Sequence, residues 1–281
     1  MKKVQTAVIP VAGLGTRLFP LTRSIPKAML PVGDKPVLQC VVEELSRAGI
    51  RHVIFVTGGG EEIIRNHFLP PAHVVENLER MGKSKLLEDH RFDNIIFSFV
   101  RQEQPLGSGH ALLCAREAVN GKSFVLAFGD AIIEEPSGLS LVQKMSEIYE
   151  AQNADVVVAV EKVDEEMVSR YGIIDPIPGE QSNYLTLRGV VEKPRPAEAP
   201  SHLAIAARYV FSPGIFSALG ESPPKEGREW QLTDAINHLA KTGNRVLAVA
   251  LNENQTRHEV GSLDSYYRVF YHFTNKEENE G

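Results

Sequence analysis

The chain has 281 residues, of which 43% are hydrophobic and 23% charged, with a formal net charge of −6. That length suits one large domain or two small ones, and the mixture excludes a disordered chain and argues against general nucleic-acid binding. Two cysteines, Cys40 and Cys114, give no disulfide framework and point to a reducing cytoplasm, and no apolar run approaches the roughly 18 residues of a membrane span.

The N-terminal MKKVQTAVIPVAG reaches Gly13 too soon for a secretory segment. Instead, residues 4–11 predict a buried strand, apolar and β-branched, with Pro10 at its end or edge. KPVLQCVVEELSRAG predicts a helix with Val37, Cys40, Val41, Glu44 and Leu45 on one side and Gly49 as its stop, and RHVIFVTG supplies the next strand. EEIIRNHF and one or two helices within 73–90 follow. The alternation then continues: strand 95–100, helix 110–119, strand 123–130, helix 139–152, strand 154–163. Nearly continuous Val/Ile/Phe/Leu strands between amphipathic helices predict an α/β fold with a mostly parallel sheet covered on both faces.

Past residue 165 the pattern changes. Short strand candidates alternate with Pro176, Pro178, Pro194, Pro196, Pro200 and Pro213, which reads as β-hairpins and irregular arms added around the sheet. WQLTDAINHLAKTG predicts a helix stopped at Gly243, RVLAVAL a strand, and SLDSYYRVFYHF a helix capped by the hydroxyl of Ser262. The charged end, residues 276–281, is expected to be a flexible tail.

Parallel α/β sheets bind ligands beyond the carboxyl ends of their strands. Gly13, Gly58, Gly107, Gly129, Asp130 and Gly189 fall at or near such ends. In AGLGTR, Gly13 and Gly15 can take backbone angles closed to other residues and let a phosphate approach main-chain N–H groups, while Arg17 and Lys27 offer positive charge. The sixth position from Gly13 is Leu18, so the dinucleotide fingerprint is broken, and no Walker sequence occurs. What is left is a triphosphate loop with two separate cationic arms, or an ordinary glycine turn beside two surface cations.

The stretch AGLGTRLFPLTRSIPKAMLPVGDKPVLQ resembles the signature of sugar-1-phosphate nucleotidylyltransferases, in particular the bacterial UTP–glucose-1-phosphate uridylyltransferases. The likeness continues through VRQEQPLGSGHALLCA, RYGII, RGVVEKPRPAEAPSHLAIAARYVFSPGIF and EWQLTDAI, nearly the whole chain. It implies a Rossmann-like three-layer domain over residues 1–275, with 4–165 mainly binding nucleotide and 166–275 mainly sugar and a partner subunit. UTP and glucose 1-phosphate would be the substrates, Mg²⁺ the cofactor, and a homodimer or homotetramer the assembly.

Carried over by position, the resemblance places Ala12, Gly13, Leu14, Gly15, Thr16 and Arg17 around the nucleotide, Lys27 on phosphate, and Gln102 and Gly107 at the base. Gly172, Glu192 and Lys193 would meet the sugar and its phosphate. Asp130 would hold the metal, with Glu259 in RHEVG as a second candidate. The catalytic set is thus Arg17, Lys27, Asp130 and Lys193. From its place after the loop, His110 either touches the nucleotide or caps its helix, while His202 and His258 read as structural or peripheral. Isolated cysteines and the lack of HExxH leave no zinc signature, and GSG at 107–109 is not a serine-nucleophile motif.

Three departures from the family pattern stand out. Ala28 occupies the place of a usual glutamate near the nucleotide. Gly129 replaces a usual proline and is expected to loosen the metal strand. Leu263 stands at a usual lysine position and Ser265 at the following glycine. Alternatives are therefore another pyrimidine triphosphate or hexose 1-phosphate, or a noncatalytic regulatory relative. Each can be told apart by substrate-dependent pyrophosphate release.

Overall fold

The computed structural model of the protein describes residues 3–88, 92–136, 138, 140–179, 183–224 and 228–280. Asp89 and His90 of the expected 73–90 helical segment, Leu139 of the 139–152 helix, residues 180–182 of the proline-rich region and Gly281 of the tail lie outside the described residues.

The first strand, β1 (Thr6–Pro10), ends at its proline, where the missing N–H is no loss to the ladder. After the glycine loop, a two-residue ribbon of β2 (Pro31–Val32) and β3 (Lys35–Pro36) leads into α1 (Val37–Arg47), then β4 (His52–Thr57). Next come α2 (Glu61–Phe68), α3 (Ala72–Arg80), α4 (Lys85–Glu88) and β5 (Ile96–Arg101). The helix expected at 110–119 is two pieces, α5 (Ser108–Cys114) and α6 (Arg116–Val119), broken at Ala115. They precede β6 (Phe124–Ala127), β7 (Ala131–Glu134), α7 (Leu141–Ala151) and β8 (Val156–Lys162). Ser140 caps α7, its hydroxyl accepting from the Gln143 N–H at 3.2 Å.

The second half supplies β9 (Gly172–Pro176), β10 (Leu185–Glu192), β11 (Leu203–Phe211), α8 (Ile215–Glu221), α9 (Leu232–Lys241), β12 (Val246–Ala250), β13 (Thr256–Glu259) and α10 (Leu263–Glu280). Ser262 caps α10 as expected, accepting from the Ser265 N–H at 3.3 Å, while the Ser265 hydroxyl accepts from the Gly261 and Ser262 N–H groups. That helix continues to Glu280, through the segment expected to be a tail, and Lys276 donates to Glu134 at 2.8 Å.

The nine-stranded sheet has the order β5-β4-β1-β6-β11-β8-β12-β10-β9. Pairs β5–β4, β4–β1, β1–β6 and β8–β12 are parallel; β10 and β11 are antiparallel to every neighbour they pair with. Here the sequence expectation needs correction. Strand β11 is no added arm: it sits at the centre of the sheet between β6 and β8, buried from Ala204 to Phe211. Pro200 and Pro213 flank this run without interrupting it, so its β-branched and aromatic residues pack as a core strand.

Side chains alternate between two layers, as the pleat requires. Ala7, Ile9, Val53, Phe55, Val125 and Ala127 face one core, filled by Leu38, Val41, Val42 and Leu45 of α1, Ile64 and Phe68 of α2, and Leu141, Val142, Met145 and Ile148 of α7. Val8, Ile54, Val56, Phe124 and Leu126 face the other, against α5, α8 and α9. The three-layer Rossmann-like architecture is therefore present. A smaller cluster of Leu18, Leu30, Val32, Val37, Ile132, Val260, Tyr266 and Val269 seats α10.

Inside the first layer sits a fully buried ion pair. Arg208 of β11 donates to both oxygens of Glu44 on α1, at 2.8 and 2.6 Å, and two further N–H groups reach the carbonyls of Ala131 and Ala207 at 2.8 and 3.0 Å. Neither side chain is more than 1% exposed. Breaking such a pair strands the other charge in a low-dielectric interior. Glu44→Ala is therefore expected to lower the unfolding free energy by about 3–5 kcal/mol, read as a fall in the urea midpoint with an unchanged slope; an unshifted midpoint would contradict this.

Candidate active site

Because β1, β4, β5 and β6 are parallel, the loops after them emerge along one edge: residues 11–15, 58–60, 102–107 and 128–130. A cavity of about 610 Å³ opens there. Ala12, Gly13, Leu14, Gly15, Thr16, Lys27, Gln102, Gly107 and Asp130 line it from the first half of the chain, and Gly172, Glu192, Lys193 and Glu259 from the second. The antiparallel hairpin β9–β10 reaches this edge because Ile173 pairs with Ala204, itself opposite Glu161 near the end of β8.

Two expected site residues lie outside the lining. Arg17, on a short 3₁₀ turn at Thr16–Leu18, points its guanidinium toward Gly261 at the start of the β13–α10 connection. His110 neither lines the cavity nor caps α5. It accepts a hydrogen bond on Nδ1 from Gln102 Nε2 at 2.9 Å and stacks on the indole of Trp230, so it holds the Gln102 side chain that does face the cavity. Neutral imidazole with its proton on Nε2 satisfies that bond.

The glycines do different jobs. Only Gly15 of the first loop has a left-handed backbone, at φ +61°; Gly13 has not, and an added carbon there would meet nothing closer than Lys27 Cε at 3.7 Å. Gly107 has φ +109°, and a Cβ would stand 2.6 Å from the Trp230 carbonyl oxygen, in a contact stitched by Gly109 N–H to Trp230 O and Trp230 N–H to Leu106 O, both 2.7 Å. Gly129 corrects the sequence reading: a Cβ would lie 2.7 Å from Val11 Cγ1, so glycine is there to let the Asp130 turn pack tightly rather than to loosen it.

Asp130 follows β6, and its carboxylate takes the ammonium of Lys27 as an ion-pair partner. Its carbonyl accepts from the Val260 N–H at 2.8 Å, which draws β13, and with it Glu259, beside the Asp130 turn. The two-stranded ribbon β7–β13, missed from sequence, makes this juxtaposition, with Ala131 opposite Glu259 and Ile133 opposite Arg257. Asp130 and Glu259 thus share one cavity wall, each facing a cationic side chain; hard oxygen ligands of this kind suit a divalent ion completing its shell with ligand oxygens and water.

On the wall supplied by the second half of the chain, Glu192 accepts from the Thr233 hydroxyl at 3.0 Å and pairs with Lys193 at 3.2 Å. Lys193 has φ +45°, a left-handed conformation rare outside glycine, and its N–H is held by the Tyr171 carbonyl at 3.0 Å. Arg257 is a cation that the sequence analysis overlooked. It donates to Glu161 at 2.6 Å, lies 3.7 Å from Glu259, and stacks over the Tyr171 ring at 4.4 Å. Tyr171 in turn donates to Glu259 at 3.2 Å. Burial alone would lower the Arg257 pKa, but Glu161 and Glu259 raise it above the ordinary guanidinium value. Strand alternation was the available signal, since a functional Glu259 in RHEVG puts Arg257 on the same face.

The departures also find their places. Ala28 is buried in the main core and does not line the cavity. Leu263 packs with the apolar cluster beneath α10, and Ser265 belongs to the cap of that helix.

A family model described as nucleotidyl transferase matches residues 6–276. The chain belongs to the nucleotidyl transferase family. It is 43% identical over 242 residues to a UTP–glucose-1-phosphate uridylyltransferase of Bacillus subtilis, covering 85% of this chain and 81% of that protein. It is 38% identical over 279 residues to one of Staphylococcus epidermidis, covering 99% and 94%. Among solved structures, the UTP-bound UGPase from Acinetobacter baumannii superposes with a TM-score of 0.87 at 34% identity, over 96% of this chain and 93% of that one. A UDP-glucose pyrophosphorylase complexed with UDP-glucose gives 0.85 at 32%, over 97% and 99%. This nucleotidyl transferase thus shares its fold along nearly the full length of those enzymes.

The glycine geometry yields a paired test. Gly107→Ala is expected to lower unfolding free energy by about 1–3 kcal/mol, the usual cost of forcing an atom into filled space, whereas Gly13→Ala stays within about 0.5 kcal/mol; chemical denaturation of the two variants measures both. Equal midpoints would overturn the distinction.

Proposed function

We propose that this chain transfers a uridylyl group from UTP to glucose 1-phosphate, giving UDP-glucose and pyrophosphate. One observation carries the reading: the glycine loop, Asp130 and the Glu192–Lys193 pair line the same cavity. The relatives are UTP–glucose-1-phosphate uridylyltransferases, and two neighbouring structures are bound to UTP and to UDP-glucose, which supports these substrates.

Both substrates are polyanions, and their repulsion where water is excluded is the barrier the site must lower. In the proposed reaction an ionised phosphate oxygen of the sugar attacks the α-phosphorus. A new P–O bond forms as the bond to the bridging oxygen of the β-phosphate breaks, and pyrophosphate leaves. No side chain has to remove a proton from that nucleophile. Main-chain N–H groups of residues 13–16 would cradle the triphosphate, Gln102 and Gly107 the base, Glu192 the sugar hydroxyls and Lys193 the sugar phosphate. Lys27, released from Asp130 when the site is loaded, would meet a phosphate oxygen, with Arg17 a second cation from the rim. A Mg²⁺ ion held by Asp130 and Glu259 would supply neutralisation of the phosphate oxygens and of the departing pyrophosphate. Residues 4–165 would thus bind nucleotide and 166–275 sugar phosphate and a partner subunit, in a cytoplasmic homodimer or homotetramer. No helix among the described residues is long and apolar enough to cross a membrane.

The test is pyrophosphate release from UTP, dTTP, CTP and ATP against glucose, galactose and N-acetylglucosamine 1-phosphates. UTP with glucose 1-phosphate is expected to give the highest kcat/KM, chelation of the metal to abolish turnover, and Lys193→Ala and Asp130→Asn each to lose at least about 100-fold. A folded wild-type protein with no turnover on any pair would refute the assignment. Leu263, which the family resemblance places at a usual lysine position, favours one second reading, a regulatory subunit; tight UDP-glucose binding without catalysis would establish it.

A further inference from the structure

On the opposite side of β13 from Arg257 and Glu259, three potential ligands converge away from the cavity. His258 Nε2 and His272 Nε2 each lie 2.8 Å from the same oxygen of Glu134, Oε2. One ligand atom from each residue fits within 4.8 Å of the others. Their elements differ: Glu134 ends β7, His258 lies in β13, and His272 projects from α10. The imidazole rings stack with centroids 4.5 Å apart, and Phe273 sets an aromatic edge contact against each. Lys276, one turn beyond His272, donates to the other carboxylate oxygen, Oε1, at 2.8 Å.

Without an ion, both rings must present an N–H to one oxygen while stacked face to face. A cation at the point of convergence removes both requirements, because it accepts two nitrogen lone pairs and one carboxylate oxygen. Two imidazoles and a carboxylate suit borderline divalent transition metals, with a fourth position left to water, and not Mg²⁺ or Ca²⁺, which take oxygen ligands. Oε1 stays with Lys276, the type of outer contact that orients a ligating carboxylate. His258 is 14% exposed, Glu134 24% and His272 44%, so the cluster is supported on one side and open to ions on the other.

We propose that Glu134, His258 and His272 form a binding site for a divalent transition metal, Zn²⁺ foremost, which fastens α10 to the β7–β13 ribbon. Since Asp130 immediately precedes this ribbon and Glu259 ends it, the ion would brace the carboxylate wall of the cavity from behind. The site does not depend on which nucleotide or sugar the enzyme uses.

The full-length protein, free of any histidine tag and stripped with a chelator, is titrated with Zn²⁺ against a chromophoric chelator, in parallel with His272→Ala and Glu134→Gln. His272 is partly exposed on a helix, so its replacement is expected to leave the metal-free melting temperature in place; His272→Gln serves if alanine does not. Wild type should bind one equivalent of Zn²⁺ beyond any held at Asp130 and Glu259, which is common to all three proteins, and that equivalent should be weakened at least about 100-fold in either variant. Zn²⁺ should raise the melting temperature of wild type and not of His272→Ala, by mass action on the folded state. Co²⁺ in wild type should show the visible absorption of nitrogen-ligated tetrahedral cobalt, absent from the variant. Equal Zn²⁺ stoichiometry and affinity in wild type and His272→Ala, or no Zn²⁺ binding by wild type, would overturn the proposal.

Discussion

The buried pair between Glu44 and Arg208 is the constraint around which the active-site edge is arranged. A guanidinium with no water contact must find its partners inside the protein, and Arg208 finds them on one helix and at two backbone carbonyls. The helix is α1, the first crossover of the parallel sheet. The two carbonyls belong to Ala131, next to Asp130, and to Ala207, a left-handed residue where the register of β11 against β8 shifts. Both alanines line the cavity. One side chain therefore fixes a helix, a bulge in the central antiparallel strand and the turn that carries Asp130. Replacing the pair by apolar residues could preserve stability, but would leave those carbonyls without donors.

The cavity wall is built from charges that already satisfy one another. Lys27 is paired with Asp130, Lys193 with Glu192, and Arg257 with Glu161 and Glu259. This keeps partly buried cations and carboxylates from standing uncompensated before a ligand arrives. Each pair is also a choice that a phosphate can reverse, because an incoming polyanion competes for the cation while a divalent ion competes for the carboxylate. Arg257 is the least free to change partners, being 7% exposed and stacked on Tyr171. It reads as the fixed cation of the wall, with Lys27 and Lys193 the adjustable ones.

Much of this was legible in the chain. The apolar runs that became β1, β4, β6, β8 and β12 are buried on both faces, so continuity of Val, Ile, Leu and Phe was itself the signal. Proline density misled at β11, because prolines that flank a strand look, in sequence, like prolines that break it. The β7–β13 ribbon was hidden because its strands are four residues each and far apart, joined by non-local pairing that no local period encodes. Most expected site residues do line one cavity, since they sit at strand ends that the parallel topology gathers. His110 and Arg257 show the limit: whether a polar side chain faces a cavity or supports a neighbour depends on contacts made across the fold, here Gln102 for the one and Glu161 for the other.

The one tryptophan of the chain is placed where it can serve as an internal optical gauge. Trp230 closes over Gly107 and Gly109 through two main-chain hydrogen bonds, faces the His110 ring, and has its indole N–H buried without a partner. Any ligand that shifts the 107–109 turn must alter the polarity and quenching around that indole. Intrinsic emission from the unlabelled protein thereby reports on a single spot, the 107–109 turn and the cavity wall beside it.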